Sequence, residues 1–388
     1  MPILCEKKLC SGCHSCYSVC PTNSIKMEAD VEGFLYPVVN ETKCVECKLC
    51  EKSCPILNSN VKSQKTPKAF AAFSKDENVI NNSSSGGVFY HIAKMIIDDG
   101  GVVFGAAFDD NFNVEHKAID SLADIRLLQG SKYVQSKIGD TYKQAKQFLK
   151  NGRKVLFSGT PCQIEGLRAF LGQEYDNLYV LDFICHGVPS PKVWQMYVKH
   201  REKIASSKTK SVEFRNKKYG WESFSLKFGY SNDTEYTRNL FDDPYMKGFL
   251  SDLYLRTSCY NCRAKGLDRL SDITLADFWG AEAIVPEMYN KFGTSLVLIN
   301  NKKGEYVFEK INSNLWFRNC DSMQAITHNS AAIQSVSKHK KYDEFFATVS
   351  EDNFEETIHM CLKKSIAKKI KIKFKNMLIK IKKVIKKR

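Results

Sequence analysis

The chain has 388 residues, room for two or three domains, with 43% hydrophobic residues, 26% charged residues and 15 cysteines. Its formal charge of +15 resembles a nucleic-acid signature until it is located: Lys363–Arg388 holds 13 basic residues and no acidic one, leaving +2 for residues 1–362, so the body of the chain has no electrostatic call on a polyanion. No run approaches the roughly 18 apolar residues of a membrane span, and MPILCEKK lacks the apolar region of a secretory signal. Cysteines this close to the start then suit a reduced cytoplasm.

The first element is a repeat. Cys10–Pro21 reads CSGCHSCYSVCP and Cys44–Pro55 reads CVECKLCEKSCP, one CxxCxxCxxxCP pattern used twice with each cysteine displaced by 34 residues. Three cysteines at three-residue intervals curl round one side of a 4Fe-4S cubane, and the fourth, followed by proline, goes to the cluster of the other half. The pattern therefore assigns Cys10, Cys13, Cys16 and Cys54 to one cluster and Cys44, Cys47, Cys50 and Cys20 to the other. A four-thiolate zinc site usually takes two CxxC pairs and has no use for a third evenly spaced thiolate. Residues 1–57 are read as an α+β dicluster ferredoxin-like domain, and 58–68 as a polar linker containing Pro67.

A second unit begins at Ala69 and is expected to be mixed α/β, with modules 69–150 and 151–320. AFAAFS is predicted to be a buried strand, and Val88, Ile92, Met95 and Ile96 repeat at helical spacing until Gly100 and Gly101. VVFGAAF and NVEHKAI form a predicted hairpin, followed by a short helix (121–128), the loop GSKYVQSKIG and a helix from about Asp140 to Lys150. KVLFSGTPCQIEGLRAFLGQEYDNLYVLDFICHGVPSP then gives a strand (155–157), a tight turn, a helix (163–171) and a second strand (178–184). That is a βαβ unit, whose two strands should be parallel. SVEFR, SFSLKFGY and TEYTRN follow as antiparallel strands, then a CxxC loop, the strands DITLAD and TSLVLIN, and a helical region at 321–362.

Cys162 and Cys185 stand just past the carboxyl ends of the two βαβ strands, the edge where open α/β sheets place ligands. With Cys259 and Cys262 they make a plausible four-thiolate metal site. Buried core cysteines, a redox dithiol and half of a zinc site are the other uses of such residues. Cys5, Cys320 and Cys361 fit no spacing and read as structural. Two turns, Ser83-Ser84-Ser85-Gly86-Gly87 and Ser158-Gly159-Thr160, precede helices with the small residues that let backbone N–H groups approach an anion, although a plain N-cap serine looks the same in sequence.

SSSGGVF, LQGSKYVQS, SGTPCQ, CHGVPSP, the Cys259–Cys262 pair and ITLADFWG together resemble the coenzyme F420 hydrogenase/dehydrogenase beta-subunit family, from about Phe70 to about Cys320. The family includes deazaflavin-linked reductases and occurs in polysaccharide gene clusters. The resemblance implies FAD bound by both modules and a third 4Fe-4S cluster held by Cys162, Cys185, Cys259 and Cys262. It also implies flavin contacts from Ser85, Gly86, Gly87, Lys132, Tyr133, Gln135, Ser158, Gly159 and Thr160. The built-in ferredoxin and basic tail depart from the family pattern, so the cofactors carry over and the deazaflavin substrate does not.

The expected function is an iron-sulfur flavoprotein oxidoreductase that passes electrons between clusters and FAD and an organic substrate, with a redox protein or soluble donor as partner. An electron-transfer subunit without a substrate, and a scaffold with structural metals, are the other classes. His186 and Lys132 are the weak candidates for proton donor and flavin countercharge, His186 reading first as a hydrogen-bonded loop residue. In residues 363–388, Ile370, Phe374, Met377, Ile381 and Val384 make an apolar stripe among lysines. This predicts a basic amphipathic helix on an anionic membrane surface, peripheral at the inner face, with no nucleic-acid role.

Overall fold

Among the described residues thirteen strands follow one another: β1 (Ile25–Ala29), β2 (Leu35–Val39), β3 (Lys68–Ser74), β4 (Val102–Phe108), β5 (Val114–Ile119), β6 (Val155–Gly159), β7 (Leu178–Phe183), β8 (Thr209–Asn216), β9 (Ser225–Tyr230), β10 (Glu235–Asn239), β11 (Ile273–Asp277), β12 (Ser295–Ile299) and β13 (Leu315–Cys320). The computed structural model describes residues 1–58 and 66–363. β1 and β2 form the ferredoxin hairpin, β10-β9-β8 a small antiparallel sheet, and the remaining eight a mixed sheet in the order β13-β3-β12-β11-β7-β6-β4-β5. β4, β6, β7 and β11 are mutually parallel at its centre, and the outer strands are antiparallel.

Both faces of the parallel centre are buried, which is why β6 and β7 read as continuous apolar runs. Alternate residues serve opposite faces. Val103 and Leu156 pack with Val88, Ile92 and Ile96 of the helix Val88–Asp98. Phe104, Val155 and Phe157 pack with Tyr142 and Ala145 of the helix Thr141–Lys150 and with Ile164 and Leu167 of the helix Pro161–Leu171. A further aromatic core, built on Trp194, Tyr197, Phe228, Tyr245 and Tyr254, joins the small sheet to the helices Pro191–Ala205 and Pro244–Leu250.

The ferredoxin unit is fastened to this body by many hydrogen bonds. Ser190 Oγ donates to the carbonyl of Glu32 (2.5 Å), Tyr342 Oη to Glu32 Oε2 (2.7 Å), Lys192 Nζ to the carbonyl of Val31 (2.9 Å) and Arg263 to the carbonyl of Ile56 (2.8 Å). Gly33, at φ +86°, lies so close to Lys192 that a Cβ there would stand 2.2 Å from the lysine Cβ. Only glycine satisfies both demands.

The predicted hairpin, the βαβ unit with parallel strands and the three antiparallel strands are all present. β13, LWFRNC, is an addition: an edge strand that follows the helix Lys302–Ile311 and pairs with β3. Strands from 69–150 and from 151–320 share one sheet, with β3 inserted between β12 and β13. Strands on both sides of the expected boundary at 150 therefore belong to one sheet. The basic amphipathic helix expected at 363–388 lies outside the described residues apart from Lys363.

Candidate metal centre

The eight ferredoxin cysteines divide between two small cavities. Cys10, Cys13, Cys16 and Cys54 line the first, and Cys20, Cys44, Cys47 and Cys50 line the second. This is the crossed arrangement the CP cysteines imply. It is produced by the short helices Ser15–Val19 and Leu49–Lys52, each entered through a left-handed residue, His14 (φ 63°) and Lys48 (φ 58°), which turns the chain round the cavity. Cys5, which fits no spacing rule, also faces the first cavity. Its thiol hydrogen-bonds to Cys10 and Cys54, drawing both of them down to about 6. Ser24 Oγ lies 3.1 Å from Cys20 Sγ in the second.

Cys162, Cys185, Cys259 and Cys262 meet at a third cavity. Cys162 sits in the first turn of the helix Pro161–Leu171, Cys185 follows β7, and the 3-10 turn Thr257–Asn261 with Cys262 supplies the CxxC pair. Thr160 Oγ1 is 3.3 Å from Cys162 Sγ, and the backbone N–H of Val188 donates to Cys259 Sγ at 3.5 Å. Burial pushes the Cys162 thiol well up, and Cys185 and Cys259 to about 11 and about 12; for each, the neighbouring thiols push the same way. Cys162, Cys185 and Cys259, whose thiols resist ionisation, need positive charge beside them to become thiolates, and metal supplies it. The cationic rim of Arg263, Lys265 and Arg269 also suits a net-negative cluster. The donor set thus fits a cubane. The four thiols line a space and not a point, since among the described residues no three His, Cys, Asp or Glu side chains converge on a single-ion site.

Two residues that the sequence did not single out connect the first and third cavities. Arg256, fully buried, donates to the carbonyl of Cys10 (2.7 Å), to Gln135 Oε1 (3.0 Å) and to the carbonyl of Leu35 (3.0 Å), while its own carbonyl accepts from the N–H of Cys259 (2.8 Å). Gly166, one turn beyond Cys162, lets the helix Pro161–Leu171 press against Cys13. Arg256 stands three residues before a ligand candidate, but no spacing pattern marks it.

The serine-glycine turn and the loop carrying Lys132 and Tyr133, both expected at flavin, adjoin: Ser131 N–H and Oγ donate to Ser84 Oγ (2.7 and 3.0 Å), and Arg215 donates to both the carbonyl of Ser84 and Tyr133 Oη. Gly86 N–H donates to Ser295 Oγ (3.0 Å), and a Cβ on Gly86 would stand 2.5 Å from the carbonyl oxygen of Ala72, so this glycine lets the turn pack on β3. Gly87, at φ +86°, caps the following helix, and Ser85 Oγ donates to the carbonyl of Thr294. Ser158 Oγ donates to the carbonyl of Phe104, Gly159 closes β6, and Thr160 N–H donates to Gln163 Oε1 (2.9 Å) in a capping box. The N–H groups of Gly86 and Thr160 are thus used inside the fold; capping draws on the same residue types as an anion site. Lys132 Nζ donates to the carbonyls of Leu127 and Gln129, with burial lowering its pKa to about 7. Tyr133 Oη accepts from Arg215, and Gln135 binds Ser11 and Arg256 on the ferredoxin side. His186 lines the third cavity, its Nε2 2.7 Å from Asp252 Oδ1. An open groove of 1210 Å³ is lined by Cys54 and holds none of these flavin residues in its wall.

Residues 152–322 match the C-terminal family of coenzyme F420 hydrogenase/dehydrogenase beta subunits, and residues 9–57 match a 4Fe-4S dicluster domain. The chain is similar to those beta subunits, behind a dicluster ferredoxin domain. All four cysteines of the third cavity lie inside the beta-subunit match, and all eight of the other two lie inside the dicluster match. An uncharacterised protein of Methanocaldococcus jannaschii is 27% identical over 201 residues, a match covering 44% of this chain and 54% of that protein, so the chain spans about half of the curated relative. A chain in a xenon-derivatised structure of the F420-reducing NiFe hydrogenase complex from Methanosarcina barkeri aligns with a TM-score of 0.47 and 16% identity, covering 70% of this chain and 92% of that one. The beta-subunit and dicluster matches make the protein an iron-sulfur, redox-related one; among the described residues, no helix is long and apolar enough to cross a membrane.

Proposed function

We propose that the protein is a three-cluster electron-transfer oxidoreductase, in which the two ferredoxin cubanes exchange electrons with a third 4Fe-4S cluster held by Cys162, Cys185, Cys259 and Cys262. The observation that carries this reading is the sorting of the twelve motif cysteines four to each of three cavities, Cys5 being a fifth at the first, with Ser11 and Ile56 lining both the first and the third. Cys47 is exposed, so electrons enter or leave at the second ferredoxin cavity and move inward. FAD, as the two-electron station that the family resemblance adds, and an organic substrate beyond it are the finer part of the proposal. His186, oriented by Asp252 at the third cavity, is the proton donor we assign on this reading.

A subunit role, with electrons passed to a partner protein and no substrate bound, is favoured by the exposure of Cys47 and fits equally well. The test is composition. Anaerobically reconstituted protein should hold about 12 iron atoms per chain, and Cys259→Ala with Cys262→Ala should lower this to about eight. Zinc in the third site, or an unchanged iron count, overturns the three-cluster reading. Flavin measured in the same preparations decides FAD, and turnover by the isolated chain separates enzyme from subunit.

A further inference from the structure

Arg256 is a fully buried cation placed between two proposed clusters. Its hydrogen bonds go to neutral oxygens, the carbonyls of Cys10 and Leu35 and the amide of Gln135, and no carboxylate pairs with it among the described residues. The guanidinium lies over the Tyr36 ring at 4.1 Å and against Gly12, whose added Cβ would stand 2.9 Å from Cζ. Gly12 belongs to the cysteine loop of the first cavity, so the charge is pressed onto that loop, and glycine at φ +68° is what admits it. Backbone bonds tie the same residue to Val188 and Cys259 beside the third cavity.

A buried charge with no counter-ion is strongly disfavoured unless an opposite charge is near. Four thiolates leave a cubane net negative, and reduction adds one electron and no proton. We infer that Arg256 is the countercharge of the first ferredoxin cluster, raising its reduction potential above that of the second, so that electrons entering at Cys47 settle beside the third cluster. Among the described residues no buried cation faces the second cavity: Lys48 in its wall and the N-terminal ammonium paired to Glu46 are both at the surface. The effect belongs to the low dielectric of the interior, where a cation acts on a nearby redox centre far more strongly than in water. Arg256 on this view is a positioning and tuning residue. The inference rests on the cluster placement proposed above.

The experiment is an EPR-monitored redox titration of the anaerobically reconstituted full chain carrying Arg256→Gln, Arg256→Lys or Gln135→Glu. Arg256→Gln should make one ferredoxin cluster at least tenfold harder to reduce, about 59 mV for one electron, with iron unchanged, and Arg256→Lys should retain most of the wild-type potential. Gln135→Glu, which sets a carboxylate against a retained guanidinium, should shift the same signal in the same direction. Unchanged potentials in Arg256→Gln, or equal shifts in the Gln and Lys variants, overturn the inference. Should Arg256→Gln lose iron, Gln135→Glu decides: a lowered potential supports the countercharge and an unmoved one overturns it. Wild-type protein with fewer than about eight irons would instead remove the cluster placement itself.

Discussion

Gly166 lies against Cys13: a Cβ added to the glycine would stand 2.7 Å from the cysteine Cβ and 2.9 Å from its Sγ. The helix that carries Cys162 therefore touches the loop that carries a ferredoxin ligand candidate, and only a residue without a side chain allows it. Gly166→Ala should force the helix and the cysteine loop apart, costing about 1–3 kcal/mol as overpacking usually does. The denaturant midpoint should fall and iron should leave the protein faster on chelator challenge. A variant with wild-type midpoint and iron retention would show that the contact is not tight.

Asp243 gives the fold a pH dependence. It is fully buried, caps the helix Pro244–Leu250 through the N–H of Met246 (2.8 Å) and accepts from Tyr197 Oη (2.6 Å) and Tyr236 Oη (3.1 Å). Burial nonetheless raises its pKa from 3.8 to about 6. A raised folded pKa favours the protonated acid, so this contribution is fully present below pH about 4 and is lost as pH rises through about 6, up to about 3 kcal/mol. Asp243→Asn should flatten that part of the profile. Unfolding midpoints of both proteins from pH 4 to 7 check it, and parallel curves would assign the pH dependence elsewhere.

The basic segment 363–388 is proposed to hold the protein on anionic membrane. Each basic residue near such a surface contributes about 1 kcal/mol, so even part of the run offsets the ordering of a tail. The full chain should float with phosphatidylserine-containing liposomes and release in high salt, whereas a version ending at Leu362 should stay behind with its iron intact. Equal flotation of the two chains would rule the segment out as the anchor.

Much of the architecture is written in local pattern. The repeated cysteine spacing assigns both ferredoxin clusters because ligand geometry is encoded within a dozen residues, and the apolar runs and turn residues of β3 to β12 give the strands and the βαβ unit for the same reason. Cys162 and Cys185 were placed at strand ends by that unit alone. β13 escaped because LWFRNC is a short run with neither strict alternation nor a continuous apolar stretch to mark it as a strand.

What the sequence could not decide is which residues meet across long separations. Only the folded chain brings Arg256 to Cys10, 246 residues away, and sets Gly166 on Cys13. It also gives Gln135 to the ferredoxin loop, and Gly86 and Thr160 to packing and capping. A glycine-serine turn has one appearance in sequence whether its N–H groups hold a diphosphate or a neighbouring side chain. Which of these happens depends on the partner that tertiary packing delivers, since each buried donor must be satisfied once, by whichever acceptor the fold places there first.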